Sequence, residues 1–187
     1  DLINYSSLSR KIASDSGLNV KKNFDAILIA CRRFQRKLKN EEVFENRILK
    51  ILKSSKIEIK NKIIVLVLEK DVHFETLLHI EREIKKQKEI LRIIESASAI
   101  TIITTEEFAD LIRKNFRNKI IIENGHLAEI TIKSPKEIET TPGAYAYLCS
   151  LFQENGINIV ETLSCWTDTI FLVDEKDAGK VMGLLRF

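Results

Sequence analysis

Residues Ile63, Ile64, Val65, Leu66, Val67 and Leu68 follow one another with no polar side chain to offer to water. Side chains of a strand alternate between two faces, so a β-branched run of this kind predicts a strand covered on both sides or central in a sheet. From Ile57 the pattern alternates before the solid run begins, and the strand is expected over residues 57–68. A helix should follow, with Phe74, Leu77, Ile80 and Ile84 turned inward at helical spacing. Short strands are then expected near residues 91–95 and 99–104, a helix at 106–115 and a strand at 119–123.

After Asn124-Gly125, which reads as a turn, the same order starts again. Residues 127–132 suit a strand, Thr141-Pro142-Gly143 opens a helix through Phe152, and Gly156 ends it. Strands at 157–163 and 169–173, joined by a turn at Thr167-Asp168, precede a last helix over 176–185. No closing strand follows before Phe187, so the second copy is expected to borrow one from elsewhere. The chain therefore reads as α+β: two ferredoxin-like βαββαβ units, at 56–124 and 125–187, behind a helical segment at 1–55.

That front segment predicts three helices. Asn4 and Ser6 are candidate N-caps for the first, Ser16-Gly17-Leu18-Asn19 breaks it, and a second runs from about Val20 to Lys39. Its apolar stripe is Phe24, Ile27, Leu28, Cys31, Phe34 and Leu38; a third helix is expected from about Asn40 to Ser54. Charge is uneven. Residues 1–56 hold 13 Lys and Arg against 6 Asp and Glu, while the remainder holds 17 against 21. Lys22, Arg32, Arg33, Arg36 and Lys37 lie mostly off the apolar stripe, which suits contact with nucleic-acid phosphates and equally a solvated basic face. The segment resembles a helix-turn-helix. Yet its arginines gather towards the C-terminus of the second helix, away from the end that usually reads bases.

Several function classes drop out. No apolar run reaches membrane-spanning length and no signal peptide is visible, so the expected place is the cytoplasm. Cys31, Cys149 and Cys165 are odd in number and far apart, and read as buried free thiols. His73, His79 and His126 are dispersed, no metal or nucleophile motif occurs, and no Gly-rich phosphate loop is present. A non-enzyme without metal or cofactor is expected.

The sharpest motif is Thr141-Pro142-Gly143-Ala144. Pro suits a first helical turn, where its missing N–H would be unpaired. Gly lets the backbone approach a ligand. The free N–H groups and the positive dipole end suit a carboxylate. The same four residues also suit a plain strand-to-helix turn. Together with Leu148-Cys149-Ser150-Leu151, Glu154-Asn155-Gly156-Ile157-Asn158-Ile159 and residues 169–177, they resemble the ACT-domain signature, in which a "PG" opens the first helix and "GINI" leads into the second strand. The resemblance covers about residues 127–187. It implies regulation by an amino-acid effector held at the first loop, with Thr141, Pro142, Gly143 and Ala144 offering the loop and Asn158 facing the ligand. It also implies ACT units packed side by side in a homodimer or larger even oligomer. The first copy departs from the pattern: its loop, Glu69-Lys70-Asp71-Val72-His73, has neither Pro nor Gly. The output of such a sensor is either DNA binding through the basic front or regulation of a metabolic enzyme in trans.

Overall fold

The computed structural model describes residues 3–187, and the side chains of all of these but 38–44. Two helices lead: α1, Tyr5–Asp15, and α2, Val20–Lys53. The side chain of Asn4 caps the first by accepting from Ser7 N–H, and Asn19 caps the second through Lys22 N–H. Gly17, at φ +65, turns the chain between them. The expected break at Asn40 is absent and α2 runs unbroken for 34 residues. No Gly or Pro stands between Lys37 and Lys53, and one Asn costs a helix less than a new nucleus would.

The body follows in the order β1 (Lys56–Glu69), α3 (Phe74–Lys86), β2 (Leu91–Glu95), β3 (Ala99–Thr105), α4 (Ala109–Phe116), β4 (Ile120–Lys133), α5 (Ala144–Glu154), β5 (Ile159–Cys165), β6 (Asp168–Asp174) and α6 (Ala178–Leu184). The strands make one six-stranded antiparallel sheet, ordered β2-β3-β1-β4-β6-β5.

β1 and β4, each 14 residues long, run through both units. The apolar run of β1 pairs with β3 on one side, and its last residues pair with the first half of β4 on the other. Residues 56–60 pair instead with the second half of β4, where Lys56 faces Lys133 and Lys60 faces Glu129. The closing strand that the second unit lacked is thus the chain's own, lying ahead of the first unit, and the missing strand gives no reason to invoke a partner.

The passage from one unit to the other is a bend. Lys62 in β1 and His126 in β4 both take left-handed backbone, at φ 57 and 55, where the register shifts between Lys60 and Ile63. Left-handed residues of this kind make a bulge that sharpens strand twist. Asn124-Gly125 is therefore not a turn. The residues on both sides of it pair with β1 rather than with each other, so the pair marks the bend of one long strand.

Alternation fixes the two faces. Ile64, Leu66 and Leu68 pack under α3 and α4 with Ile80, Ile84, Phe108 and Ile112. Ala128, Ile130 and Ile132 pack under α5 and α6 with Leu148, Phe152 and Val181, and the end of α2 joins this layer through Ile48, Ile51 and Leu52. The helix-free faces of the two halves meet in a third cluster, Ile63, Val65, Ile103, Leu127, Ile170 and Leu172.

The thiols differ from expectation. All three are free, but Cys149 and Cys165 are exposed and only Cys31 is half-buried. Cys149 follows buried Leu148 onto the outer face of α5, and Cys165 is the last residue of β5, where the hairpin leaves the core.

Candidate functional site

β4 ends at Lys133, and a short 3-10 turn over Lys136–Thr140 carries the chain to the Thr141–Ala144 loop and into α5. Thr141 is buried, and its Oγ1 donates to the Glu137 carbonyl at 2.7 Å, so its hydroxyl is turned into the turn. Pro142 and Gly143 are exposed, while Ala144 is buried beneath them. Gly143 sits at φ +86, and no side chain caps the helix it opens. The first-turn N–H groups of α5 therefore take no side-chain partner at the positive end of an 11-residue helix. One wall of the loop is α2: a Cβ on Gly143 would lie 3.6 Å from Ile48 Cδ1.

Other groups converge here that residue patterns did not single out. The Tyr145 hydroxyl bonds to Ser164 Oγ, and Lys136 Nζ lies 5.8 Å from the centre of the Trp166 ring, itself largely exposed. Topology is the signal that finds them. β5 runs parallel to β4, so the end of β5, not its start, shares the sheet edge with the loop after β4.

The same geometry sets Asn158 apart. It precedes β5, and six rises of strand, about 20 Å, separate it from the Ser164–Trp166 end beside the loop. Asn158 instead lines an open cavity of about 790 Å³ with Asn124, Gly125, Asp174 and Lys176. There the Asp174 carboxyl is held below its ordinary pKa, first by the Lys176 ammonium at 2.7 Å and then by the Lys176 N–H at 3.1 Å. The structure brings residues 141–144 together and leaves Asn158 at the far end of the unit.

In the first unit the matching loop is exposed at Asp71 and His73, and Lys119 Nζ ties Glu69 to it at 3.0 Å. At the front, Lys22, Arg32, Arg33, Arg36 and Lys37 are all exposed on α2. The two front helices lie side by side and antiparallel: Ser9 Oγ meets Cys31 Sγ at 4.0 Å, and Ile12 borders the same groove as Ile27 while Tyr5 and Leu8 border it with Phe34. The helix, turn and second helix expected at the front are present, and apolar contact along the roughly three turns of α1 holds it against α2. Among the described residues no group of three or more His, Cys, Asp or Glu could hold a metal ion, and no helix is long and apolar enough to cross a membrane.

Two ferredoxin-like units that share long central strands, each with a loop opening its first helix, define a tandem fold of the ACT type. Solved structures with this fold include regulatory subunits of aspartate kinases and a Vibrio cholerae protein of unknown function. The regulatory subunit of aspartate kinase from Thermus thermophilus matches with a TM-score of 0.52 at 12% identity over 69% of this chain and 92% of its own. That from Thermus flavus matches at 0.53, with 12% identity over 70% and 94%. The aspartate kinase of Clostridium acetobutylicum, an allosteric enzyme, matches at 0.54 with 13% identity over 70% of this chain, which spans only 33% of the kinase. No protein-family model and no curated protein matches the sequence.

Proposed function

We propose that this chain is a non-catalytic regulatory module that senses an amino acid at the Thr141–Ala144 loop. The observation that carries the reading is the uncapped N-terminus of α5 behind Gly143, set on a fold shared with regulatory subunits of aspartate kinase. An α-carboxylate accepts from the first-turn N–H groups, and the exposed Pro142–Gly143 backbone leaves room for it. Because α2 forms a wall of that loop, a ligand that fits one placement of α2 better than another shifts the population towards it. The signal then leaves through the helical hairpin to an enzyme regulated in trans. The unpaired edges of β2 and β5 support side-by-side packing of two copies, which light scattering at micromolar concentration tests: a monomer rejects it.

The first test is a thermal-shift screen against the twenty amino acids. A ligand at 100 times its Kd adds about 2.7 kcal/mol to native-state stability, so one or a few amino acids should raise Tm clearly. No shift with any of them at 10 mM would reject amino-acid sensing.

The exposed cations of α2 support a second reading, in which the output is contact with a duplex backbone. It expects affinity for DNA to fall steeply with salt, and the change of Arg32, Arg33 and Arg36 together to Ala to flatten that slope. The regulator-in-trans reading expects no duplex binding even at low salt, and a gel-shift titration separates the two.

A further inference from the structure

The helix-free faces that meet between the two units are apolar except on one side. There a cavity of about 520 Å³ opens, lined by the charged side chains Glu58, Lys60, Arg92, Glu129, Lys133 and Asp168. Three are cationic and three anionic. They come from both units: Arg92 stands on β2 of the first, and Glu129, Lys133 and Asp168 stand on β4 and β6 of the second.

The internal repeat shows that the fold does not need these charges. Ile64, Leu66 and Leu68 of β1 occupy the helix-facing places that Ala128, Ile130 and Ile132 occupy in β4. On the opposite face, Val65 is therefore the counterpart of Glu129, and Val67 that of Thr131. Val65 is 0% exposed and Glu129 3%. The same place in the same unit is thus filled once by an apolar side chain and once by a buried carboxylate, although burying an ion is costly even when it is paired.

Most of the lining groups are already partnered. Glu129 accepts from Arg92 Nε at 3.0 Å and Nη2 at 2.8 Å, and from Thr131 Oγ1 at 3.1 Å. Lys60 is bound to Glu89 and Lys133 to Glu58, each at 2.7 Å. Two groups remain. Among the described residues Asp168 stands in no ion pair, and Arg92 Nη1 donates to no acceptor. Both lie in one field: the Arg92 guanidinium is held above its usual pKa first by its hydrogen bonds to Glu129, with Asp168 among the smaller contributors.

We propose that this cavity is a second ligand site, for a zwitterionic α-amino acid, with the ammonium on Asp168 and the carboxylate on Arg92 Nη1. The pair Glu129–Arg92 is its floor and fixes the guanidinium so that the remaining edge faces the cavity. The lining carries no net charge, which favours a ligand that also carries none and disfavours simple anions or cations. The site is distinct from the Thr141–Ala144 loop and does not depend on it.

Calorimetry with each of the twenty amino acids, on the parent chain, Gly143→Asp and Asp168→Asn, tests this. At least one amino acid should still bind Gly143→Asp, and its affinity should fall tenfold or more in Asp168→Asn. Asp168 holds no ion pair, so its replacement should leave the chain folded, with the slope of urea unfolding unchanged and only a small shift of the midpoint. On the Gly143→Asp chain, the amide of that amino acid, which lacks the carboxylate, and its 2-oxo acid, which lacks the ammonium, should each bind at least tenfold more weakly. If Gly143→Asp abolishes all amino-acid binding, or if the amide and the 2-oxo acid bind as tightly as the amino acid, the proposal is overturned while the loop reading stands. Binding that survives in Gly143→Asp but fails in Asp168→Asn supports the cavity and not the loop.

Discussion

Gly143→Asp is expected to bind the amino-acid effector at least tenfold more weakly than Gly143→Ala, with both chains folded. The two variants share one handicap. Gly143 sits at φ +86, and any side chain in left-handed backbone costs about 1–2 kcal/mol. They also share one contact, since the new Cβ would meet Ile48 Cδ1 at 3.6 Å, an ordinary packing distance. The difference between them is therefore the carboxylate. It stands at the uncapped end of α5, where it repels a ligand carboxylate and competes for the same N–H groups. Two like charges about 4 Å apart repel by roughly 4 kcal/mol at a surface-like dielectric. Screening lowers this, yet about 1.4 kcal/mol, a factor of ten, should survive. Asp71→Gly in the first unit should leave affinity unchanged, because that loop is held by Lys119 and opens onto a different helix. Equal affinity for the Asp and Ala variants by calorimetry would place the effector elsewhere.

Arg92→Ala is expected to lower stability by about 3 kcal/mol, the low end for breaking a buried pair, since Arg92 keeps 31% side-chain exposure while Glu129 has 4%. The loss arises because Glu129 stays behind, buried and without its guanidinium. Changing both partners, Arg92→Leu with Glu129→Val, should recover most of it, since the counterpart of Glu129 in the first unit is Val65 and that half of the sheet packs without a charge. Urea unfolding measures both, with an unchanged slope and a shifted midpoint. A double variant as unstable as Arg92→Ala would mean that the cavity cannot close over apolar side chains.

The sequence made the body legible where local pattern and final environment agree. The β-branched run at residues 63–68 reads as a covered strand and is one, and Gly156, at φ +66, ends α5 as a left-handed residue should. What local pattern concealed was long-range pairing. Asn124-Gly125 has turn chemistry, and only the pairing of its two flanks with β1 shows that the strand continues. Residues 56–60 alternate like any half-covered strand, and nothing near them tells that they close a unit beginning at residue 127. The loop at Thr141–Ala144 was visible as chemistry. Its surroundings were not, because Ile48, Ser164 and Trp166 come to it from distant parts of the chain. The charged cavity is hidden from local pattern for the same reason: Arg92 and Glu129 are 37 residues apart, on strands of different units.

The shared strands also set a timetable for synthesis. Lys56 pairs with Lys133, 77 residues later, and the second unit's core includes Leu185, near the last residue. At about 5–20 residues per second, the first half of β1 waits roughly 4–15 s after it is made before its partner exists. Throughout that interval it is an unpaired strand carrying Ile57 and Ile59, and any second nascent chain on the same message offers it the same edge. During that interval a ribosome-bound chaperone, or a partner chain made nearby, has that strand open to it, and only later the finished surface.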